Sequence, residues 1–137
     1  MDLTLTVRPP QGSREWITRI LDAGVWSLHV PQVDTPEIAH AVVKASWYAP
    51  EGRRGMAGMG HHTDDETGPV GEPQRCLNAQ SHLAMRFESP QACDNIDAIL
   101  SVRGIHAVTL GPADLAQELG GLARRTRVRC WTRTACG

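Results

Sequence analysis

Lysine, aromatic residues and long apolar runs are all scarce in this sequence. Lys44 is the only lysine, and it falls within a predicted helix, away from any strand end, which argues against chemistry that needs a Schiff-base amine. The four cysteines, Cys76, Cys93, Cys130 and Cys136, form no C-x-x-C pair and have no histidines at finger spacing, so they read as free thiols. No apolar run approaches the roughly 20 residues that span a bilayer, and Met1-Asp2-Leu3-Thr4 lacks the basic start of a secretory signal. A cytoplasmic protein with no membrane partner is expected.

The chain has 137 residues and a net charge of −1, a length that suits one domain with a buried core. The small net charge conceals an asymmetry. All 15 acidic residues lie before residue 121, whereas Arg124, Arg125, Arg127, Arg129 and Arg133 crowd into the end with no acid among them. No regular apolar pattern accompanies these arginines. The reading is a folded domain over 1–120 and an arginine-rich tail over 121–137, disordered or non-native, with no nucleic-acid partner.

Within the first 120 residues strand and helix signals alternate. Leu3 to Arg8 alternates apolar and polar residues and stops at Pro9-Pro10. Ser13 can cap a helix carrying Trp16, Ile17, Ile20 and Leu21, with Gly24 as a left-handed exit. Trp26 to Val30 is a second strand, and Thr35-Pro36-Glu37 opens a second helix bearing Ile38, Ala41, Val42 and Ala45. From Ala49 to Pro73 the pattern lapses into a Gly-, Pro- and charge-rich stretch. His82 to Phe87 is a third strand; Ser89-Pro90 starts a helix with Ile96, Ile99 and Leu100, ended by Gly104. Ile105 to Leu110 is a fourth strand, followed by a short helix from Ala113 to Leu119. Four βα units in succession predict a parallel α/β sheet or barrel, because parallel neighbours require crossover helices.

In such folds the carboxyl ends of the strands share one rim, and that rim carries the site. Arg8, Pro31, Gln32, Glu88 and Asp114 fall there. Glu88 and Asp114 are one βα unit apart, so two hard carboxylates could face one divalent ion, or could each simply cap the helix that follows. Asp22, near a helix end, reads by itself as a solvated charge, and His29 and His106 as packed or hydrogen-bonded strand residues. His61-His62 with Asp64, Asp65 and Glu66 could chelate a metal or be a solvated loop.

Several segments occur in a telling order: Val7-Arg8-Pro9, Ile20-Leu21-Asp22-Ala23-Gly24, Val30-Pro31-Gln32-Val33, Tyr48-Ala49-Pro50-Glu51-Gly52-Arg53-Arg54-Gly55, Phe87-Glu88-Ser89, Asn95-Ile96-Asp97-Ala98-Ile99-Leu100 and Gly111-Pro112-Ala113-Asp114-Leu115. Together they resemble successive landmarks of the HpcH/HpaI aldolase/citrate lyase family. The resemblance covers roughly residues 5–120 and implies a partial (β/α)₈ TIM barrel of about four βα units, similar to the family's strands three to six.

The resemblance implies a metal-dependent aldolase or lyase that makes or breaks a carbon–carbon bond in a 2-oxo acid through a pyruvate enolate. Glu88 and Asp114 then hold Mg²⁺, Mn²⁺ or Co²⁺, Arg8 stabilises the enolate oxygen, and the Ala113 and Asp114 backbones bind the substrate carboxylate. Asp22 matches the acid that partners the family's catalytic histidine. That histidine has no counterpart here, so a truncated, impaired enzyme is expected. The alternative is a non-catalytic half-barrel that binds a small 2-oxo acid or a partner chain. Homo-oligomerisation or a chain completing the barrel is expected in either case. The sequence departs from the family at Arg86, where a glutamine is usual, and at His106, where an aspartate is usual.

Overall fold

The computed structural model describes residues 4–56 and 72–120. The elements in order are β1 (Thr6–Val7), α1 (Arg14–Asp22), β2 (Ser27–Val30), α2 (Pro36–Ser46), α3 (Glu72–Gln80), β3 (His82–Phe87), α4 (Pro90–Asp94), α5 (Ile96–Leu100), β4 (Ala107–Leu110) and α6 (Pro112–Glu118). The four strands form one parallel sheet in the order β1-β2-β3-β4. Each strand lies beside its predecessor in sequence, the arrangement that successive right-handed crossovers give when a sheet begins to wind into a barrel.

The register sorts side chains onto two unlike faces. Val30 pairs with Met85 and Phe87 with Leu110; Leu28, Val30, Leu83, Met85 and Phe87 are buried in one core with Ile17, Val42 and Ile99 from the helices. This apolar layer holds the helices to the sheet. The alternate positions, Ser27, His29, Ala84, Arg86 and Thr109, fall on the other face. That face is linked by polar contacts: Thr6 Oγ1 donates to Ser27 Oγ at 3.0 Å, and the His29 ring nitrogen Nε2 is hydrogen-bonded to Thr109 Oγ1.

Local signals explain most boundaries. Thr35 Oγ1 accepts from the Ile38 N–H at 3.4 Å and Pro36 fills the first turn of α2. Gly24 and Gly104 take positive φ, 86° and 96°, where the chain turns into the next strand. Ser13 occupies the position before α1, but its side chain makes no capping hydrogen bond.

Several elements differ from the expectation: the first strand is confined to Thr6–Val7 and the second begins at Ser27. The helix after Ser89 is divided at Asn95, whose backbone leaves helical geometry while its side-chain amide donates to the Asp34 carbonyl at 2.8 Å. The fourth strand begins at Ala107, so His106 precedes it. Helix α3 was not expected at all. Among its described side chains only Leu77 is buried, so it lacks the apolar stripe that marks a helix in sequence. Asn78 fixes it instead: Oδ1 accepts from the Tyr48 N–H at 3.0 Å, and Nδ2 donates to the Tyr48 carbonyl at 3.1 Å.

Among the described residues no helix is long and apolar enough to cross a membrane. The loop candidates His61, His62, Asp64, Asp65 and Glu66, and the tail 121–137, lie outside the described residues.

Candidate active site

Each strand of a parallel sheet delivers its next residue to the same end, and here that end holds a cavity of about 730 Å³. Its lining includes Arg8 after β1, Pro31 and Gln32 after β2, Glu88 after β3 and Asp114 after β4. Four of the predicted site positions, Arg8, Glu88, Ala113 and Asp114, are thus grouped at one end by topology.

Glu88 is the buried member at 9% exposure. A carboxylate with so little water needs compensating charge. It has two cations: Arg86 Nε lies 2.5 Å from Glu88 Oε1, and Arg8 NH1 lies 3.7 Å from the same oxygen. Arg86 also reaches across, its NH2 3.7 Å from Asp114 Oδ2. One guanidinium therefore touches both carboxylates. Arg8 and Asp114 are open to solvent, with side chains 56% and 57% exposed.

Neighbouring groups shape the rim. Gln32 adopts a left-handed backbone with φ 56°, uncommon for a residue with a side chain, and the Val33 N–H then donates to the Arg86 carbonyl at 3.4 Å. Ser89 is hydrogen-bonded to Asp34 and its Oγ accepts from the Ala92 N–H at 3.1 Å. In α6 the first intrahelical bond runs from the Leu115 N–H to the Gly111 carbonyl at 3.0 Å. The N–H groups of Ala113 and Asp114 precede it and have no acceptor within the helix.

Asp22 is not brought to this rim. It ends α1, which runs back toward the starts of the strands, and its Oδ1 accepts from Arg54 NH2 at 2.7 Å. Arg54 lies beside Leu21, Trp26 and Ser81, at the entrances to β2 and β3. Its guanidinium carbon sits 4.6 Å from the centre of the Tyr48 ring.

The two histidines read as packed residues are held by hydrogen bonds. His29 bonds Thr109, as described above, and His106 Nδ1 accepts from the Leu83 N–H at 3.2 Å while its ring stacks on His82 and meets the edge of Trp47. Both have pKa values lowered from the usual histidine range. Burial is the main cause for each; for His29 the charges of Arg86 and Arg8 add to it, and for His106 the charge of His82 does. Cys76 and Cys93 are in no disulfide. Among the described residues no cluster of three His, Cys, Asp or Glu side chains forms.

A four-stranded parallel α/β sheet with its arginines and carboxylates gathered at the strand ends is the layout of part of an α/β barrel. The HpcH/HpaI aldolase/citrate lyase profile matches residues 1–129, and the chain belongs to that family. It is 43% identical over 114 residues to a 2-keto-3-deoxy-L-rhamnonate aldolase of Klebsiella pneumoniae, a match covering 83% of this chain and 42% of the relative. An HpcH/HpaI aldolase from Desulfitobacterium hafniense superposes with a TM-score of 0.84 at 30% identity, over 95% of this chain and 50% of that one. A family member from Burkholderia cenocepacia gives 0.80 at 30% identity, over 95% and 51%. The chain thus spans less than half the length of the curated relatives it matches, and its fold is a partial α/β barrel.

Proposed function

We propose that this chain carries part of the active-site rim of a divalent-metal-dependent carbon–carbon lyase acting on a small 2-oxo acid, with pyruvate released through its enolate. The observation that supports this is the convergence of Arg8, Glu88 and Asp114 on one cavity at the strand ends.

Glu88 and Asp114 would hold Mg²⁺, Mn²⁺ or Co²⁺. Both are hard oxygen donors, and the Arg86 guanidinium lying against the two of them is a stand-in for a cation that both can reach. Such an ion, when bound, supplies Lewis-acid polarisation of the substrate's keto oxygen. The N–H groups of Ala113 and Asp114 at the start of α6, unpaired within the helix, would meet the substrate carboxylate. Arg8 would neutralise the charge that gathers on the keto oxygen as the bond between C3 and C4 of a 4-hydroxy-2-oxo acid breaks. The C4 hydroxyl proton must leave to a base, and no histidine lines the cavity among the described residues.

That last observation favours a second reading, a half-barrel that binds a 2-oxo acid without turning it over. In either reading the protein works in an assembly, because β1 and β4 each have one edge unpaired among the described residues and a second copy or a partner chain would cover them.

Calorimetry with pyruvate and Mn²⁺, together with a lactate dehydrogenase-coupled assay on a 4-hydroxy-2-oxo acid, separates the two. Pyruvate binding lost in Asp114→Ala, with release sensitive to Glu88→Ala, supports the lyase. Binding without release supports the second reading. Neither binding nor release sinks both.

A further inference from the structure

We propose that Arg86 is the resident counter-cation of the Glu88–Asp114 pair and sets how tightly this rim takes a divalent ion. The inference rests on the metal reading above and deepens it: a metal ion enters by displacing a guanidinium that already occupies its place.

Three observations carry it. The first is contact with both carboxylates from one side chain, Nε on Glu88 at 2.5 Å and NH2 toward Asp114 at 3.7 Å. The second is the origin of that side chain. Arg86 lies in β3 and Glu88 is the residue just past its end, two positions on, so the strand's alternation carries both toward the same face and the arginine stem rises beside the carboxylate it pairs with. The third is that space is kept for the pair. A Cβ on Gly111 would lie 2.7 Å from Glu88 Cγ, which forces Glu88 to shift, and 3.1 Å from both Arg86 Nε and Arg86 NH2, which crowds the guanidinium. The end of β4 is bare where the ion pair sits.

The charge logic follows. Glu88 is buried, so a partner cation is required whether or not metal is present. The guanidinium is a fork of N–H donors, so it holds one carboxylate through Nε while NH2 faces the other. A divalent ion on Glu88 Oε1 must remove the Arg86 contact or share the oxygen with a like charge a few ångströms away. Both options weaken metal binding relative to a neutral residue at position 86.

The test is Mn²⁺ affinity of the wild-type chain and of Arg86→Gln, read by EPR of free Mn²⁺. The expected result is binding tighter in Arg86→Gln by about 10–100-fold, the range in which neighbouring groups alter metal affinity. Equal affinities overturn the proposal and leave the metal reading standing. Absence of binding in both overturns the metal reading and the proposal with it. A second measurement does not depend on the variant folding. In the wild-type chain the Arg86 Nε–H should exchange slowly with water, and saturation with diamagnetic Mg²⁺ should speed that exchange and move its NMR signal. An unmoved Arg86 signal at Mg²⁺ saturation overturns the proposal.

Discussion

Gly111 packs so closely on Glu88 that a Cβ there would stand 2.7 Å from Glu88 Cγ, and a side chain at 111 requires Glu88 to shift. The backbone of Gly111 has φ −95°, which any residue can adopt, so what position 111 demands is absence of volume.

Gly111→Ala is therefore expected to destabilise the fold by about 1–3 kcal/mol, the usual cost of forcing one extra group into a packed site. Urea denaturation measures it. A loss below a few tenths of a kcal/mol would mean that Glu88 and Arg86 can shift aside freely.

Asp22→Asn should cost about 1–3 kcal/mol, because it strips the charge partner from a guanidinium whose side chain is only 3% exposed. An exposed ion pair would lose about 0–1 kcal/mol, so the size of the change distinguishes a buried cation from a surface one. Among the described residues Arg54 Nε has no hydrogen-bond partner, so the loss of Asp22 is not offset from that side.

Stability should fall on mild acidification. His29 and His106 both have folded pKa values below their ordinary one, chiefly through burial. The unfolded chain then takes up more protons, so the contribution is complete above the usual histidine value of about 6.5 and is lost as pH falls from there through the lowered values. Melting at pH 7.5 and 5.0 shows it, and replacing both histidines by glutamine should narrow the difference. An unchanged difference in the double variant would place the acid sensitivity elsewhere.

The 137-residue chain assayed alone should turn over slowly, about 10²–10⁴-fold below the range of roughly 1–10³ s⁻¹ common for enzymes, because no histidine base lines its cavity among the described residues. Pyruvate release near one per second and sensitive to Glu88→Ala would reveal a base that this rim does not display.

Periodicity made the βα alternation legible, since the apolar face of each element is written at spacing two or 3.6. The convergence of Arg8, Glu88 and Asp114 was legible too, because strand ends of a parallel sheet meet by topology. Elements held by polar groups were not. Helix α3 is fixed by Asn78 gripping the Tyr48 backbone, and one asparagine in a polar run gives no periodic signal. The Asp22–Arg54 pair spans 32 residues, so neither sequence neighbourhood announces it, and Asp22 alone reads as a solvated charge. Arg86 was visible as a departure from the family, yet its reach to both Glu88 and Asp114 depends on how β3 and β4 lie side by side.

The grip of Asn78 on Tyr48, with Arg54 anchored on Asp22, bears on how the chain tolerates change. These contacts tie the stretch after α2 to α3 and to the end of α1, and they are directional rather than volume-filling. A change that keeps the shape can therefore be costly here: Asn78→Asp removes the Nδ2 donor, and the Tyr48 carbonyl loses that bond. The apolar layer under the sheet forgives a swap of similar volume, whereas this corner is selective for donors and acceptors.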